Sequence, residues 1–93
     1  MNENKKAVIT VLGYDRRGII AKVSDVLYRN NANILDISQT ILSGLFNMVL
    51  IADISDDGCD FSAINDELAI FGRENNLQIR VQRSEIFEAM HQI

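Results

Sequence analysis

Two glycines five positions apart enclose a short polar segment that could bind a charged small molecule. The segment Gly13–Gly18 reads GYDRRG and joins an apolar stretch to a helical pattern. The first turn of a helix has unpaired N–H groups and a partial positive charge, which suit a carboxylate. Asp15 suits an ammonium group, so the two features together suit a free amino acid. A plainer interpretation is that Asp15 caps the helix and the glycines only permit the turn.

The same glycines have the outer spacing of two nucleotide-binding motifs, but both motifs fail at the residues that contact phosphate. The dinucleotide-binding motif has a middle glycine where this chain has Asp15, whose carboxylate would repel a pyrophosphate. The P-loop has Lys and Ser or Thr where this chain has Ile19 and Ile20. A nucleotide site is therefore not predicted.

No arrangement of nucleophile and base is visible, so we do not expect an enzyme. The single histidine, His91, lies near the C-terminus, where chains commonly fray. The lone Cys59 cannot form an internal disulfide, and the aspartates around it disfavour a thiolate. The acidic segment 53–60 has the spacing of the start of an EF-hand loop, but Ile64 occupies the position of the bidentate glutamate. No metal and no cofactor are predicted.

Composition narrows the class of protein further. The chain has 93 residues, of which 47% are apolar and 24% charged, as expected for one globular domain. Nine basic residues against thirteen acidic ones give a net charge of −4, which disfavours nucleic-acid binding. No apolar run is long enough to cross a bilayer, and no signal peptide begins the chain. We expect a cytoplasmic protein with no membrane partner.

The apolar periodicity predicts six elements in the order β-α-β-β-α-β, followed by a short C-terminal helix. They are strands over 6–13, 33–43, 46–54 and 77–82, helices over 19–29 and 61–72, and a helical tail over 84–93. Ser43-Gly44 is the predicted hairpin turn, and Asp60 is the predicted cap of the second helix. In the second strand, Leu35, Ile37 and Ile41 alternate with polar residues and are expected to face the core.

This order predicts an α+β, ferredoxin-like sandwich, in which two helices cover one face of a four-stranded antiparallel sheet. The all-apolar first strand fits a central position, and the half-polar second and fourth strands fit the edges. The central strands lack the exposed aromatic residues on which RNA-binding domains of this fold stack bases. We expect a single domain over 1–93, with a core over 6–83.

Three segments in this order resemble an ACT domain over about residues 6–83. They are GYDRRGIIAKVS at 13–24, NILDIS at 33–38 and FNM at 46–48. The similarity is to small stand-alone ACT proteins, which also end in a segment like SEIFEAM at 84–90, and more distantly to the glycine cleavage system repressor type. The resemblance implies a non-catalytic regulatory module that binds an amino acid between two copies of the chain.

The resemblance also implies which residues form the site. The strand-to-helix turn would supply one side of the pocket through Gly13, Asp15, Arg16, Gly18 and Ile19. The start of the second strand would supply the other side from the neighbouring subunit, through Asn33 and Ile34. The family often has proline where Arg17 stands, which leaves the ligand preference open.

The implied partners are a second copy of the chain, a small amino acid and a further protein that the sequence does not identify. An unpaired second strand would be an exposed sheet edge, and natural proteins cover or pair such edges. The alternative function is a constitutive dimerisation or adaptor module that binds no small molecule.

Overall fold

A computed structural model describes residues 5–14 and 17–84 of the chain. The elements are β1 (Lys6–Gly13), α1 (Ile19–Arg29), β2 (Asn33–Leu42), β3 (Leu45–Asp53), α2 (Phe61–Asn75) and β4 (Gln78–Arg83). The strands pair antiparallel in the order β2-β3-β1-β4. The predicted ferredoxin-like fold, with β1 central and β2 and β4 at the edges, is confirmed. The predicted helical tail lies outside the described residues from residue 85 onwards.

The core lies between the sheet and the two helices, because β1 and β3 present alternate apolar residues to it. Ile9 and Val11 of β1 are fully buried, and they pair with Leu50 and Met48 of β3. The alternate β3 residues Phe46, Met48, Leu50 and Ala52 are all buried, and so is Ile54 just after the strand. Because β1 pairs with β3 on one side and β4 on the other, both ends of β1 are held in place within the sheet.

Capping residues begin α2 and end both helices, whereas α1 begins at Gly18 without a side-chain cap. The side chain of Asp60 accepts a hydrogen bond of 2.9 Å from the N–H of Ala63 and caps α2, as predicted. Asn31 after α1 and Asn76 after α2 have φ values of 63° and 57°, the left-handed conformation that commonly ends helices. The N–H of Leu77 donates to the carbonyl of Gly72 at 2.9 Å and closes the end of α2.

The hairpin between β2 and β3 uses a two-residue turn. Ser43 and Gly44 both have positive φ, 53° and 81°, as a type I′ turn requires. The turn pairs Leu42 with Leu45 and holds the far end of β2 in register.

The inward face of β2 differs from the prediction at Leu35 and at Ile41. Ile41 pairs with the buried Phe46, but it is 52% exposed and does not pack against the core. A register shift between Ile34 and Asp36 leaves Leu35 as the extra residue of a β-bulge. Ile34 takes the place opposite Ala52 and packs against the core, whereas Leu35 is 47% exposed. The expectation that Leu35 shares the core-facing side with Ile37 is therefore wrong.

Candidate functional site

The strand-to-helix turn begins at Gly13, the last residue of β1. A Cβ atom added to Gly13 would overlap the Cδ2 atom of Leu77, so the missing side chain allows β1 to approach the start of β4. Gly13 is buried, which gives it a packing role. The predicted ligand residues Asp15 and Arg16 lie outside the described residues.

Gly18 and Ile19 form the start of α1. Gly18 occupies the N-cap position with a φ of 73°, a conformation that strains residues other than glycine. Its carbonyl accepts the first helical hydrogen bond, 3.0 Å from the N–H of Lys22. The N–H groups of the first turn have no partner within the helix. Ile19 as a whole residue is only 1% exposed, so its main role in the structure is to pack the start of α1 against the core.

Asn33 and Ile34 lie at the opposite end of the sheet. Asn33 is the exposed first residue of β2 and pairs with Asp53, which in turn pairs with Lys6 at the start of β1. Ile34 packs against the core and therefore offers a ligand little besides its backbone. The structure thus separates the five predicted site residues that it describes into two groups.

A polar pocket of about 220 Å³ surrounds Asn33. It is lined by Asn31, Asn33, Asp53, Ser55 and Asp56. The Nδ2 atom of Asn31 donates to the carbonyl of Gly58 at 3.0 Å, which ties the end of α1 to the loop after β3. The sequence analysis did not assign four of the five lining residues to a binding site. The sequence feature that could have revealed the pocket is the pairing of Asn33 with Asp53 across the hairpin. This pairing can be predicted only if the β-bulge in β2 is recognised first.

Asp53 and Asp56 give the pocket two carboxylates, and hydrogen bonds favour the ionised form of Asp53. The hydroxyl and the N–H of Ser55 both donate to Oδ1 of Asp53, and these hydrogen bonds lower the pKa of Asp53. Burial and the charges of nearby aspartates, Asp56 first, raise the pKa of the Cys59 thiol. A neutral thiol is a poor nucleophile, and this fits the non-catalytic role expected for Cys59.

One chain cannot bring its two groups of site residues together. Gly13 and Lys6 are the two ends of the eight-residue strand β1, and Asn33 lies at the Lys6 end. At about 3.3 Å per residue, seven steps separate the two groups by about 23 Å. A small amino acid is far shorter than this distance.

A larger cavity of about 370 Å³ lies between the two helices and contains none of the predicted site residues. It is lined by Lys22, Glu67, Ile70, Phe71 and Glu74. Among the described residues, no group of three His, Cys, Asp or Glu side chains is arranged to hold a metal ion. Neither α1 nor α2 combines the length and the apolar content that a membrane-spanning helix needs.

Comparison with known proteins identifies the family. A family model described as an ACT domain matches residues 5–82. The chain belongs to the ACT domain family. It is 49% identical to a UPF0237 protein of Methanocaldococcus jannaschii over 88 residues, which are 95% of this chain and 98% of the relative. The resemblance found in the sequence is therefore confirmed.

Solved structures agree with this assignment. An ACT domain protein from Streptococcus pneumoniae is 42% identical, with a TM-score of 0.76 and coverage of 96% of this chain and all of that one. A protein described as a putative glycine cleavage system transcriptional repressor has a TM-score of 0.74 at 22% identity, over 88% of this chain and 47% of that one. At 22% identity, the similarity to the repressor supports a shared fold only. ACT domains are generally regulatory, ligand-binding modules, and none of these matches indicates a catalytic family.

Proposed function

We propose that this ACT domain is a non-catalytic regulatory module that binds a small amino acid between two copies of the chain. The observation that carries the proposal is the separation of the two groups of site residues within one chain. Gly13, Gly18 and Ile19 lie at one end of the sheet, and Asn33 lies at the other. A second copy in the opposite orientation would bring one chain's Asn33 towards the start of the other chain's α1.

The position of α1 supports this arrangement. α1 contacts β2, whereas α2 contacts β4, so the helix that carries Gly18 lies on the side of the free β2 edge. The Gly13 end of β1 is level with the hairpin turn, because Gly13 pairs with Phe46. If two β2 strands pair antiparallel, the Asn33 end of one strand meets the hairpin end of the other. Both halves of the site would then be close to the same interface.

The chemistry of the two halves suits a zwitterion. The first turn of α1 offers N–H groups to a carboxylate. The opposite half offers the amide of Asn33 beside the ionised carboxylate of Asp53, which attracts an ammonium group. Asp15 would add a second carboxylate from the turn.

A thermal-shift screen of the twenty amino acids tests the proposal. A ligand at about 100 times its dissociation constant adds about 2.7 kcal/mol to the stability of the folded state, which is a readily measured rise in Tm. Asp15→Ala should weaken binding by about 1.5–3 kcal/mol, the range for a hydrogen bond to a charged group. Asp57→Ala is the matched control, because Asp57 is an exposed aspartate outside the residues that line the pocket.

If no amino acid raises the Tm at millimolar concentration, the protein is the dimerisation or adaptor module instead. If an amino acid binds equally well to the Asp15→Ala variant, Asp15 does not belong to the site. We further propose that the chain is one domain over residues 1–93 that acts in the cytoplasm.

A further inference from the structure

The free edge of β2 carries a segment that is complementary to itself. Residues 37–41 read ISQTI, so the chemistry is the same in both directions from Gln39: a hydroxyl residue comes next, and an isoleucine follows it. Neither this segment nor Leu42 contains a charge or a proline, the residues that commonly protect an edge strand from pairing. A second copy of the chain that runs antiparallel would meet the same residues in the same order.

The hairpin turn determines which backbone groups of β2 face the free edge. Leu42 and Leu45 flank a two-residue turn, so their N–H and C=O groups bond to each other across the hairpin. The direction of these groups alternates along a strand, and the β-bulge at Leu35 ends the regular alternation. The residues whose backbone groups face the free edge between the bulge and the turn are therefore Ile37, Gln39 and Ile41.

We propose that two copies of the chain pair antiparallel through β2 with the two-fold axis at Gln39. In this register Gln39 lies opposite Gln39 of the partner subunit, and each Ile41 lies opposite the partner's Ile37. Every outward-facing residue between the bulge and the turn then forms backbone hydrogen bonds with the other copy. The register rests on the proposed function, in which the site needs both copies, and it specifies the contacts between them.

The neighbouring registers leave outward-facing groups without a regular partner. An axis at Ser38 would place Ile41 opposite the bulged residue Leu35. An axis at Thr40 would place Ile37 opposite the turn residue Ser43, whose φ is positive. An axis between two residues would set outward-facing groups against groups that already bond to β3. Only the axis at Gln39 uses the whole regular edge.

The same register covers exposed apolar surface. Ile37 and Ile41 pair with the buried residues Leu50 and Phe46 of β3, so both lie on the helix side of the sheet. Ile37 packs against the core of its own chain, whereas Ile41 is 52% exposed. Contact between each Ile41 and the partner's Ile37 would extend the two cores across the interface. The pairing also lays the Asn33 end of each strand beside the partner's hairpin turn, as the proposed site requires.

Disulfide crosslinking of the full chain tests the register. Every variant carries Cys59→Ser, and the new thiols take exposed positions of β2 on the face of the sheet away from the helices. In the proposed register, Ser38 of one copy lies opposite Thr40 of the other in a closely spaced pair. The Cα atoms of such a pair are about 4.5 Å apart, a distance that a disulfide spans. Equivalent residues of the two copies are diagonal neighbours, about 7–8 Å apart and too distant.

The double variant Ser38→Cys/Thr40→Cys should therefore form a covalent dimer at least about ten-fold faster than either single variant under mild oxidation. Asp36→Cys/Thr40→Cys is the matched control. It has the same number of exposed thiols on the same face, but these lie opposite each other only if the axis is at Ser38. It should crosslink as slowly as the single variants.

Rapid crosslinking of Ser38→Cys alone or of Thr40→Cys alone overturns the register, because it places the axis at that residue. The register is also wrong if light scattering shows a monomer, or a dimer in which none of these thiols crosslinks. The thermal-shift screen of the reduced protein decides the proposed function separately. A dimer that crosslinks as expected but responds to no amino acid would keep the register and refute ligand binding. A response to an amino acid in a dimer with another register would refute the register alone.

Discussion

Individual glycines in the Gly13–Gly18 turn have different physical roles, although the sequence presents them as a pair. Gly13 allows β1 to approach Leu77, whereas Gly18 allows a left-handed backbone at the start of α1. Neither role requires a ligand, so the glycines alone do not define a binding site. The binding proposal depends instead on the free N–H groups of α1 and on Asn33.

The conformation of Gly18 leads to a prediction about stability. Gly18→Ala should lower the free energy of unfolding by about 1–2 kcal/mol, the cost of a left-handed conformation for a residue with a Cβ atom. A Cβ at Gly18 would meet nothing within 4 Å, so the loss comes from the backbone alone. Urea denaturation measures it. Gly18→Asn is the control and should lose less, because asparagine tolerates this conformation. An alanine variant as stable as the wild type would contradict the prediction.

At the scale of the secondary-structure elements, the sequence predicted the fold well because its apolar periodicity is regular. Ile9 and Val11 in β1 and Ile64 and Leu68 in α2 follow their expected spacings and are buried. The capping residue Asp60 and the turn at Ser43-Gly44 follow from local preferences that need no tertiary contacts. These features are set by neighbours in the chain, so the sequence reveals them.

The bulge in β2 is the feature that the sequence analysis missed. Counting back from the turn, in which Leu42 pairs with Leu45, would place Asn33 opposite Ile54. The extra residue at Leu35 shifts the pairing so that Asn33 lies opposite Asp53. Apolar residues at Ile34 and Leu35 satisfy either register, so alternation alone does not distinguish them. The polar pocket around Asn33 forms because this shift places Asn33 opposite Asp53. The sequence analysis did not predict the pocket because it did not predict the bulge.

A charged contact between the two helices leads to a prediction about pH. Arg29 of α1 forms a salt bridge of 2.7 Å with Glu67 of α2, and the Nδ2 atom of Asn30 donates to the other carboxylate oxygen at 3.2 Å. The Arg29 contact, followed by that of Asn30, lowers the pKa of Glu67. The stability that Glu67 contributes is therefore present above its unfolded-state pKa of about 4.3 and is lost as the pH falls through the folded-state value.

Glu67→Gln should therefore reduce the loss of stability between neutral pH and pH 3. The effect should be small, because both side chains are partly exposed and solvent screens the pair. Urea midpoints of the wild type and the variant at the two pH values measure it. Glu74→Gln is the control, because it removes a carboxylate two turns along α2 from Glu67. Equal pH dependence in the wild type and Glu67→Gln would show that the pair does not contribute.

At the scale of the whole molecule, the free edge of β2 is the surface that a second copy would cover. β2 has ten residues, and within the described part of the chain it pairs on one side only, with β3. Ile41 is 52% exposed and Leu42 is 76% exposed, both at the hairpin end of the strand. Such a long, partly apolar edge is a hazard for a monomer, because its free N–H and C=O groups can pair with another chain.

If the protein dimerises through β2, a substitution at this edge should abolish both dimerisation and ligand binding. We expect Ile41→Lys to convert a dimer of the 10.5 kDa chain into monomers at micromolar concentration, because a lysine on an edge strand opposes pairing. If the site needs both copies, the variant should also lose the rise in Tm with amino acids, since ligand binding and assembly are then linked.

Ile70→Lys is the matched control for this variant. Ile70 is a similarly exposed isoleucine, 45% accessible, but it lies on α2 and away from the β2 edge. It should therefore keep both the dimer and the rise in Tm. Light scattering measures the assembly, and the thermal-shift assay measures the binding. A monomeric Ile41→Lys variant that still responds to an amino acid would show that one chain binds the ligand alone. A dimeric Ile41→Lys variant would place the interface elsewhere on the molecule.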